Sequence, residues 1–319
     1  YINYNDYTDL KSIKYGAAYL KTDIVCEKYS EGSYTLTNHA YYGLVKIDDK
    51  LYYTVPTTRD YTGTNSIFEI SDLNDYAAAL LQKDAVEQGK ARVLASFSLD
   101  KNKDDASSGI EVLGLEAVGD KLALILVDEN RLVVRGFESS SGEVFGEAVL
   151  ENFAIAGHRR DNLKNPEAPS YYESYEAFSD ENVLNISFIR SDSQPDNLKR
   201  TIISFDFSDG VKLVNKTDAS YTEGNIDRIY DMTYKSGKLY VAMSLREFAE
   251  NSSIPFDILR PSRFMIYVYK ASDLIYKVEL MTDINEDNIM AVYSASTYSR
   301  HGFGYDQYEY RIFEQVEIR

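Results

Sequence analysis

The sequence is poor in cysteine, tryptophan and cationic side chains. Its single cysteine, Cys26, excludes an internal disulfide, and the apolar residues before it predict a small buried side chain on a strand. No apolar run approaches the ~18 residues of a membrane span. With 34 Lys and Arg against 51 Asp and Glu, the net charge is -17. That charge repels nucleic acids and disfavours anionic lipid surfaces, so we expect neither as a partner.

Complete catalytic and metal motifs are also missing from the sequence. The three histidines, His39, His158 and His301, stand far apart and show no zinc-ligand spacing. There is no Gly-x-Ser-x-Gly elbow and no phosphate-binding loop. We therefore expect a protein that is not an enzyme more than one that is, with no cofactor beyond the structural calcium considered below.

Tyrosine, by contrast, is abundant, with 28 copies beside 14 Phe. Its ring favours strands while its hydroxyl stays hydrated, a balance that suits proteins with wet, binding surfaces. The chain begins at Tyr1 without a leader sequence. We therefore expect a processed or trimmed form of an extracellular or cell-envelope protein.

A hairpin motif recurs along the chain: a tight turn, then Lys-Leu or its equivalent, then a strand. It occupies residues 48–53, 119–124, 180–185 and 236–241. Copies of a strand-turn-strand unit at intervals of roughly 55 to 70 residues are typical of repeat proteins built from small antiparallel sheets.

Strand patterns divide the chain into units around these motifs. Four-stranded units are predicted over 41–100, 110–150, 171–217 and 226–281, and a shorter unit over 287–319. The apolar spacing within 72–88 predicts a short helix. Because the last unit lacks a fourth strand, we expect the N-terminal segment 1–40, with strands over 23–28 and 33–37, to complete it and so remove an exposed sheet edge.

With their hairpin motif, these units resemble the blades of divergent bacterial β-propeller repeat proteins of the extracytoplasmic, non-WD type. No Trp-Asp dipeptide is present. The resemblance implies an all-β fold, a single domain over 1–319, and about five four-stranded blades with one short helical insertion. The uneven spacing leaves a β-solenoid (β-helix) or a pair of β-sandwiches open as alternatives.

The loop 100–111 has the oxygen spacing of an EF-hand calcium loop. The predicted ligands are Asp100, Asn102, Asp104, Ser108 and Glu111. The sequence departs from that pattern at Asp105, which stands where the glycine of the sharp turn is expected. A structural calcium ion and a solvated acidic loop are the two interpretations.

Some five-bladed propellers are glycoside hydrolases, and the resemblance implies where their acids would lie. Such enzymes need carboxylates on the innermost strands of different blades, at the axial mouth. Glu116, Glu176 and Asp231 occupy inner-strand positions and are the catalytic candidates.

Clustered tyrosines suggest binding instead of catalysis. The candidate ligand-binding residues are Tyr171, Tyr172, Tyr175, Tyr298, Tyr305, Tyr308 and Tyr310. If exposed, they would form a platform for polysaccharide or protein; if buried, they would pack between sheets. We expect a non-enzymatic, extracellular or cell-surface binding or adhesion module for a polysaccharide or surface protein. The alternatives are a glycoside-hydrolase-like propeller enzyme and a structural scaffold domain of a larger envelope protein.

Overall fold

The computed structural model describes residues 23–26, 43–48, 50–59, 61–70, 91–100, 109–157, 165, 167–194, 197–222, 226–247 and 258–281. These residues form strands joined by turns, and no α-helix occurs among them. The prediction of an all-β fold is therefore confirmed. The helix expected over 72–88 and the unit expected over 287–319 lie outside the described residues.

The strands form four sheets in chain order. The first contains β1 (Asp23–Cys26), β2 (Leu44–Ile47), β3 (Lys50–Tyr53), β4 (Tyr61–Ile70) and β5 (Ala91–Ser98). The second contains β6 (Glu111–Val118), β7 (Lys121–Asp128), β8 (Arg131–Glu138) and β9 (Val144–Glu151). The third contains β10 (Ala154–Ile155), β11 (Ser170–Asp180), β12 (Val183–Arg190), β13 (Leu198–Asp206) and β14 (Lys212–Tyr221). The fourth contains β15 (Ile226–Lys235), β16 (Lys238–Glu247), β17 (Ile258–Lys270) and β18 (Asp273–Met281).

Each sheet is built around a four-stranded antiparallel meander in which neighbours in sequence pair with each other. This is the strand arrangement of a propeller blade, and the fold is propeller-like in that sense. The short strand β10 adds to the third sheet by pairing parallel to β11.

The chain divides into two compact units. The first comprises Tyr1–Asp192 with Ser204–Val214, and the second comprises Ser193–Ile203 with Asn215–Arg319. The division passes through β13 and β14, so the first unit holds the first two sheets and most of the third. The second unit holds the fourth sheet.

The recurring motif is a two-residue hairpin turn, as predicted. Its first turn residue has a positive φ in every copy: 52° at Asp48, 57° at Gly119, 49° at Glu181 and 53° at Ser236. A left-handed first residue matches the twist of the two strands that the turn joins. Glycine adopts this conformation without strain, yet only Gly119 among the four is a glycine.

The core of the first unit lies between the first and second sheets. Leu122, Leu124 and Leu126 alternate along β7, so their side chains share one face of the second sheet. They pack with apolar residues of the first sheet, including Phe68 and Phe97. This burial fixes the second sheet against the first and leaves its other face for the third.

The N-terminal strand differs from the expectation that it would complete the last unit. β1 pairs antiparallel with β4 of the first sheet, from Asp23 opposite Thr64 to Cys26 opposite Tyr61. The reason is the length of β4, which extends beyond the short β3 and leaves its first residues unpaired on that edge. For β1 the prediction is wrong; the strand expected over 33–37 lies outside the described residues.

Candidate functional site

In the first unit, the first strands of successive sheets lie side by side. β6 contacts both β2 of the first sheet and β11 of the third. Beside it, the Thr57 N–H donates to the Val112 carbonyl at 3.0 Å, and the Val112 N–H donates back at 2.9 Å. The side chains of β6 and β11 therefore meet at the inner ends of their sheets.

Glu116 on β6 and Tyr175 on β11 form the central contact of this region. The Tyr175 hydroxyl donates a hydrogen bond of 2.8 Å to Glu116 Oε1. Tyr175 is buried, and Glu116 is only partly exposed. Burial raises the pKa of the Glu116 carboxyl to about 7, and the tyrosine hydrogen bond offsets only part of that rise. Near neutral pH, Glu116 is thus present in both protonation states.

A row of small side chains runs across the second sheet from Glu116. Glu116 pairs with Ala123, Ala123 with Gly136, and Gly136 with Gly146. A Cβ on Gly136 would lie 2.7 Å from Val211 Cγ2, and one on Gly146 would lie 2.6 Å from the Val211 backbone nitrogen. The glycines therefore allow the turn before β14 to approach the second sheet closely.

Tyr171 and Tyr175 belong to an aromatic core, so they do not form the exposed platform considered above. The Tyr171 ring stacks on Phe153 with 4.5 Å between centroids, and Phe188 meets Phe153 edge to face at 4.8 Å. Tyr175 packs beside Phe188 at 5.8 Å. They are buried because both point into the apolar side of the third sheet.

Tyr172, the neighbour of Tyr171, is 49% exposed. Adjacent residues on a strand point to opposite faces, which explains the difference. Tyr172 is thus the one member of the 171–175 cluster available to a ligand in solution. The other predicted binding residues, Tyr298, Tyr305, Tyr308 and Tyr310, lie outside the described residues.

The structure does not bring Glu176 to Glu116. Glu176 follows Tyr175 on β11 and stands opposite Ser187 of β12, so its side chain leaves the strand on the face away from Tyr175. Asp231 lies on β15 of the second unit, opposite Ala242, and is partly exposed.

The side chains at the two ends of the predicted calcium loop each accept a hydrogen bond from a backbone amide. Asp100 Oδ1 accepts from the Gly63 N–H at 2.8 Å, and the buried Glu111 accepts from the Arg59 N–H at 3.3 Å. Asn102, Asp104 and Ser108 lie outside the described residues. Within the described ranges, no group of three or more His, Cys, Asp or Glu side chains could hold a metal ion. The calcium site stays a prediction.

The buried carboxylate of Glu69 was missed by sequence reasoning. Glu69 on β4 is ion-paired with Arg92 at 2.6 Å and with Lys50 at 3.2 Å. Burial alone would raise the pKa of Glu69, but the hydrogen bonds and charges of Arg92 and Lys50 outweigh it and lower the pKa. The ion pair could have been predicted only from the register of β4 and β5, because Arg92 stands directly opposite Glu69.

Comparisons with known proteins give no family. No family model matches the sequence, and no curated protein matches it. A mutant of Synechocystis apocarotenoid oxygenase is a similar solved structure, with a TM-score of 0.37, 10% identity, and coverage of 82% of this chain and 51% of that one. An α-L-arabinofuranosidase of Fusarium graminearum has a TM-score of 0.35 and 8% identity, covering 76% of this chain and 66% of that one.

An exo-β-1,3-galactanase from Clostridium thermocellum has a TM-score of 0.32 and 12% identity, covering 74% of this chain and 47% of that one. The chain spans about half the length of several of these structures. Similarity this low carries no argument about activity. In the part of the chain that the structure describes, no helix has the length and apolar character needed to cross a membrane.

Proposed function

We propose that this protein is a non-enzymatic binding module that acts outside the cytoplasm and recognises a neutral polysaccharide. The observation that carries the proposal is the 2.8 Å hydrogen bond from Tyr175 to the carboxyl of the half-buried Glu116, whose pKa of about 7 places it between its charged and neutral forms near neutral pH. Such a group can accept hydrogen bonds from sugar hydroxyls when ionised and donate one when protonated. Separately, the exposed ring of Tyr172, on the opposite face of β11 from the buried Tyr171, can stack on a sugar.

The charge of the chain supports a neutral ligand. At a net charge of -17, the protein repels polyanions such as acidic polysaccharides. Glycoside hydrolysis normally requires two carboxylates that flank the scissile bond. Glu116 and Glu176 leave their strands on faces that do not meet, which favours binding over hydrolysis.

The test is retention of the purified protein on insoluble neutral glycans. We expect Glu116→Gln to weaken retention about tenfold, a loss of roughly one charged hydrogen bond. The matched control is Glu143→Gln, which removes an exposed acid from the turn between β8 and β9. Failure of the wild-type protein to bind any glycan, or equal binding by Glu116→Gln, would contradict the proposal.

A glycoside-hydrolase-like enzyme is the second candidate, and one observation favours it. A carboxyl with a pKa near 7 is suited to act as a general acid at neutral pH. In that case, Glu116→Gln would abolish the release of reducing sugar while leaving retention on the glycan intact. Single changes of Glu176→Gln and Asp231→Asn would show whether either acid acts as the second carboxylate. Binding without any sugar release would reject this candidate.

A further inference from the structure

The outer strand of each of the first three sheets receives the turn that joins the third and fourth strands of the following sheet. On β5, the turn between β8 and β9 lies against Leu94. A Cβ on Gly142 of that turn would clash with the Leu94 backbone. Beside it, Arg92 Nη2 donates to the Ser140 carbonyl at 3.4 Å. On β9, the turn between β13 and β14 lies against Gly146.

The third instance lies within the second unit and is made by hydrogen bonds. Thr217 Oγ1 on β14 donates to the Ala271 carbonyl at 2.7 Å, and the Asp218 N–H donates to Ser272 Oγ at 3.3 Å. Ala271 and Ser272 form the turn between β17 and β18. Beneath this contact, Thr217, Ala219 and Tyr221 of β14 are buried.

β18 is the outer strand of the fourth sheet, and no described residue covers it in this way. Tyr276 is 56% exposed and Leu280 is 47% exposed. The described part of the chain therefore fills three such positions and leaves the fourth open.

The open face of β18 can be identified from strand register. Tyr267 on β17 contacts Tyr221 edge to face at 4.9 Å, so the Tyr267 side of the fourth sheet is turned toward β14. Tyr276, Val278 and Leu280 stand opposite Val268, Ile266 and Phe264, which alternate with Tyr267 along β17. Cross-strand partners share a face, so these three apolar side chains lie on the side turned away from β14. That is the side on which a following sheet would pack.

We propose that the face formed by Tyr276, Val278 and Leu280 is a docking seat for residues 282–319 of this chain. In the three filled positions, the covering turn always comes from the next sheet along the chain. Residues 282–319 follow β18 directly and are similar in length to Glu111–Glu151, which builds the whole second sheet. Their sequence offers apolar and aromatic side chains, such as Tyr308 and Tyr310, to cover an apolar face.

Hydroxyl-radical footprinting of the unmodified protein tests whether the seat is covered. Tyr276 and Tyr172 are matched probes, since both are tyrosines and are similarly exposed in the described structure. We expect Tyr276 to be oxidised several-fold more slowly than Tyr172. Equal oxidation rates would mean that the seat is open and would overturn the proposal.

Photo-crosslinking identifies the occupant. A photoreactive benzoylphenylalanine is placed at position 278, and the crosslinked peptides are mapped by mass spectrometry, with the same group at exposed position 144 as the control. Crosslinks from position 278 to residues 282–319 of the same chain are expected. Crosslinks to a second copy, crosslinks elsewhere in the chain, or a yield no higher than that of the control would each overturn the assignment.

Discussion

The acids Glu69 and Glu116 both lie in the first unit, and their surroundings drive their pKa values in opposite directions. Glu69 on β4 meets two cations, Arg92 and Lys50, and its pKa is lowered despite burial. Glu116 on β6 meets a neutral donor, Tyr175, and burial raises its pKa to about 7. The difference shows that burial alone does not decide the state of a carboxyl: a charged partner compensates the lost hydration, whereas a single hydroxyl does not.

Removing the acid at Glu116 should change the stability of the protein more than any change at Glu69. The folded-state pKa lies above the unfolded value, so the native state holds the proton more tightly. The contribution of Glu116 to the free energy of unfolding should therefore be fully present below about pH 4.5 and be lost as the pH rises through about 7. We expect Glu116→Gln to be more stable than the wild type by about 2 kcal/mol at pH 8.

The measurement is urea unfolding of both proteins between pH 4.5 and pH 8. The stability difference should shrink toward zero at the acid end, where the native carboxyl is protonated and the unfolded one is about half protonated. A difference that is independent of pH would show that the gain came from packing and not from the titration of Glu116.

The reverse change at Glu69 should lower stability, with a smaller effect. Glu69→Gln removes the charge that Arg92 and Lys50 hold, while both cations keep about half their side chains in water. We expect a loss of about 1 kcal/mol at pH 7. Because the folded pKa of Glu69 is lowered, this stability is present above the unfolded pKa and is lost as the pH falls through the folded pKa.

Chemical unfolding at pH 7 and at pH 3 checks this prediction. Lys50→Gln is the matched control, since it removes one of the two cations and leaves the Glu69–Arg92 pair. A Glu69→Gln variant as stable as the wild type at pH 7 would show that the two ion pairs contribute nothing net.

Tyr175→Phe removes the hydroxyl that donates to Glu116 without changing the ring. The tyrosine hydrogen bond lowers the pKa of Glu116, so its loss should raise that pKa further. We expect a loss of about 1 kcal/mol at pH 8 and a smaller loss at pH 5, where the carboxyl is protonated. NMR titration of the Glu116 side chain gives the pKa directly, and an unchanged value would contradict the assigned hydrogen bond.

Calcium removal should have the smallest effect and concerns the buried acid Glu111, at the start of the same strand as Glu116. If the 100–111 loop binds calcium, then EDTA should lower the melting temperature by a few degrees and calcium should restore it. Glu111→Gln should abolish that response, whereas Glu116→Gln should retain it. A melting temperature that does not respond to EDTA would remove the predicted site.

Sequence reasoning predicted the parts of this fold that depend on local pattern. The hairpin turns at Asp48, Gly119, Glu181 and Ser236 follow from neighbouring residues, and they are present. The pairing of β1 with β4 was missed because it depends on the relative lengths of β3 and β4. No local sequence pattern predicts where a long strand will extend beyond the strand paired with it.

The candidate site was only half predictable for the same reason. Glu116 and Tyr175 were both selected from the sequence, but in separate roles, since nothing local indicates that β6 and β11 lie side by side. The burial of Tyr171 and exposure of Tyr172 likewise depend on which face of β11 meets the core. Charge and aromatic content identify residues that could act, and packing between sheets decides which of them do.

The pairing of β1 with β4 also has a consequence for the order of folding. Each meander closes mainly through hairpins between strands adjacent in sequence, at little cost in chain entropy. β1 instead pairs with β4, from which it is separated in sequence by β2 and β3, so its contacts have high sequence separation. We expect β1 to attach after the rest of the first sheet has formed and to be the first strand released when that sheet opens.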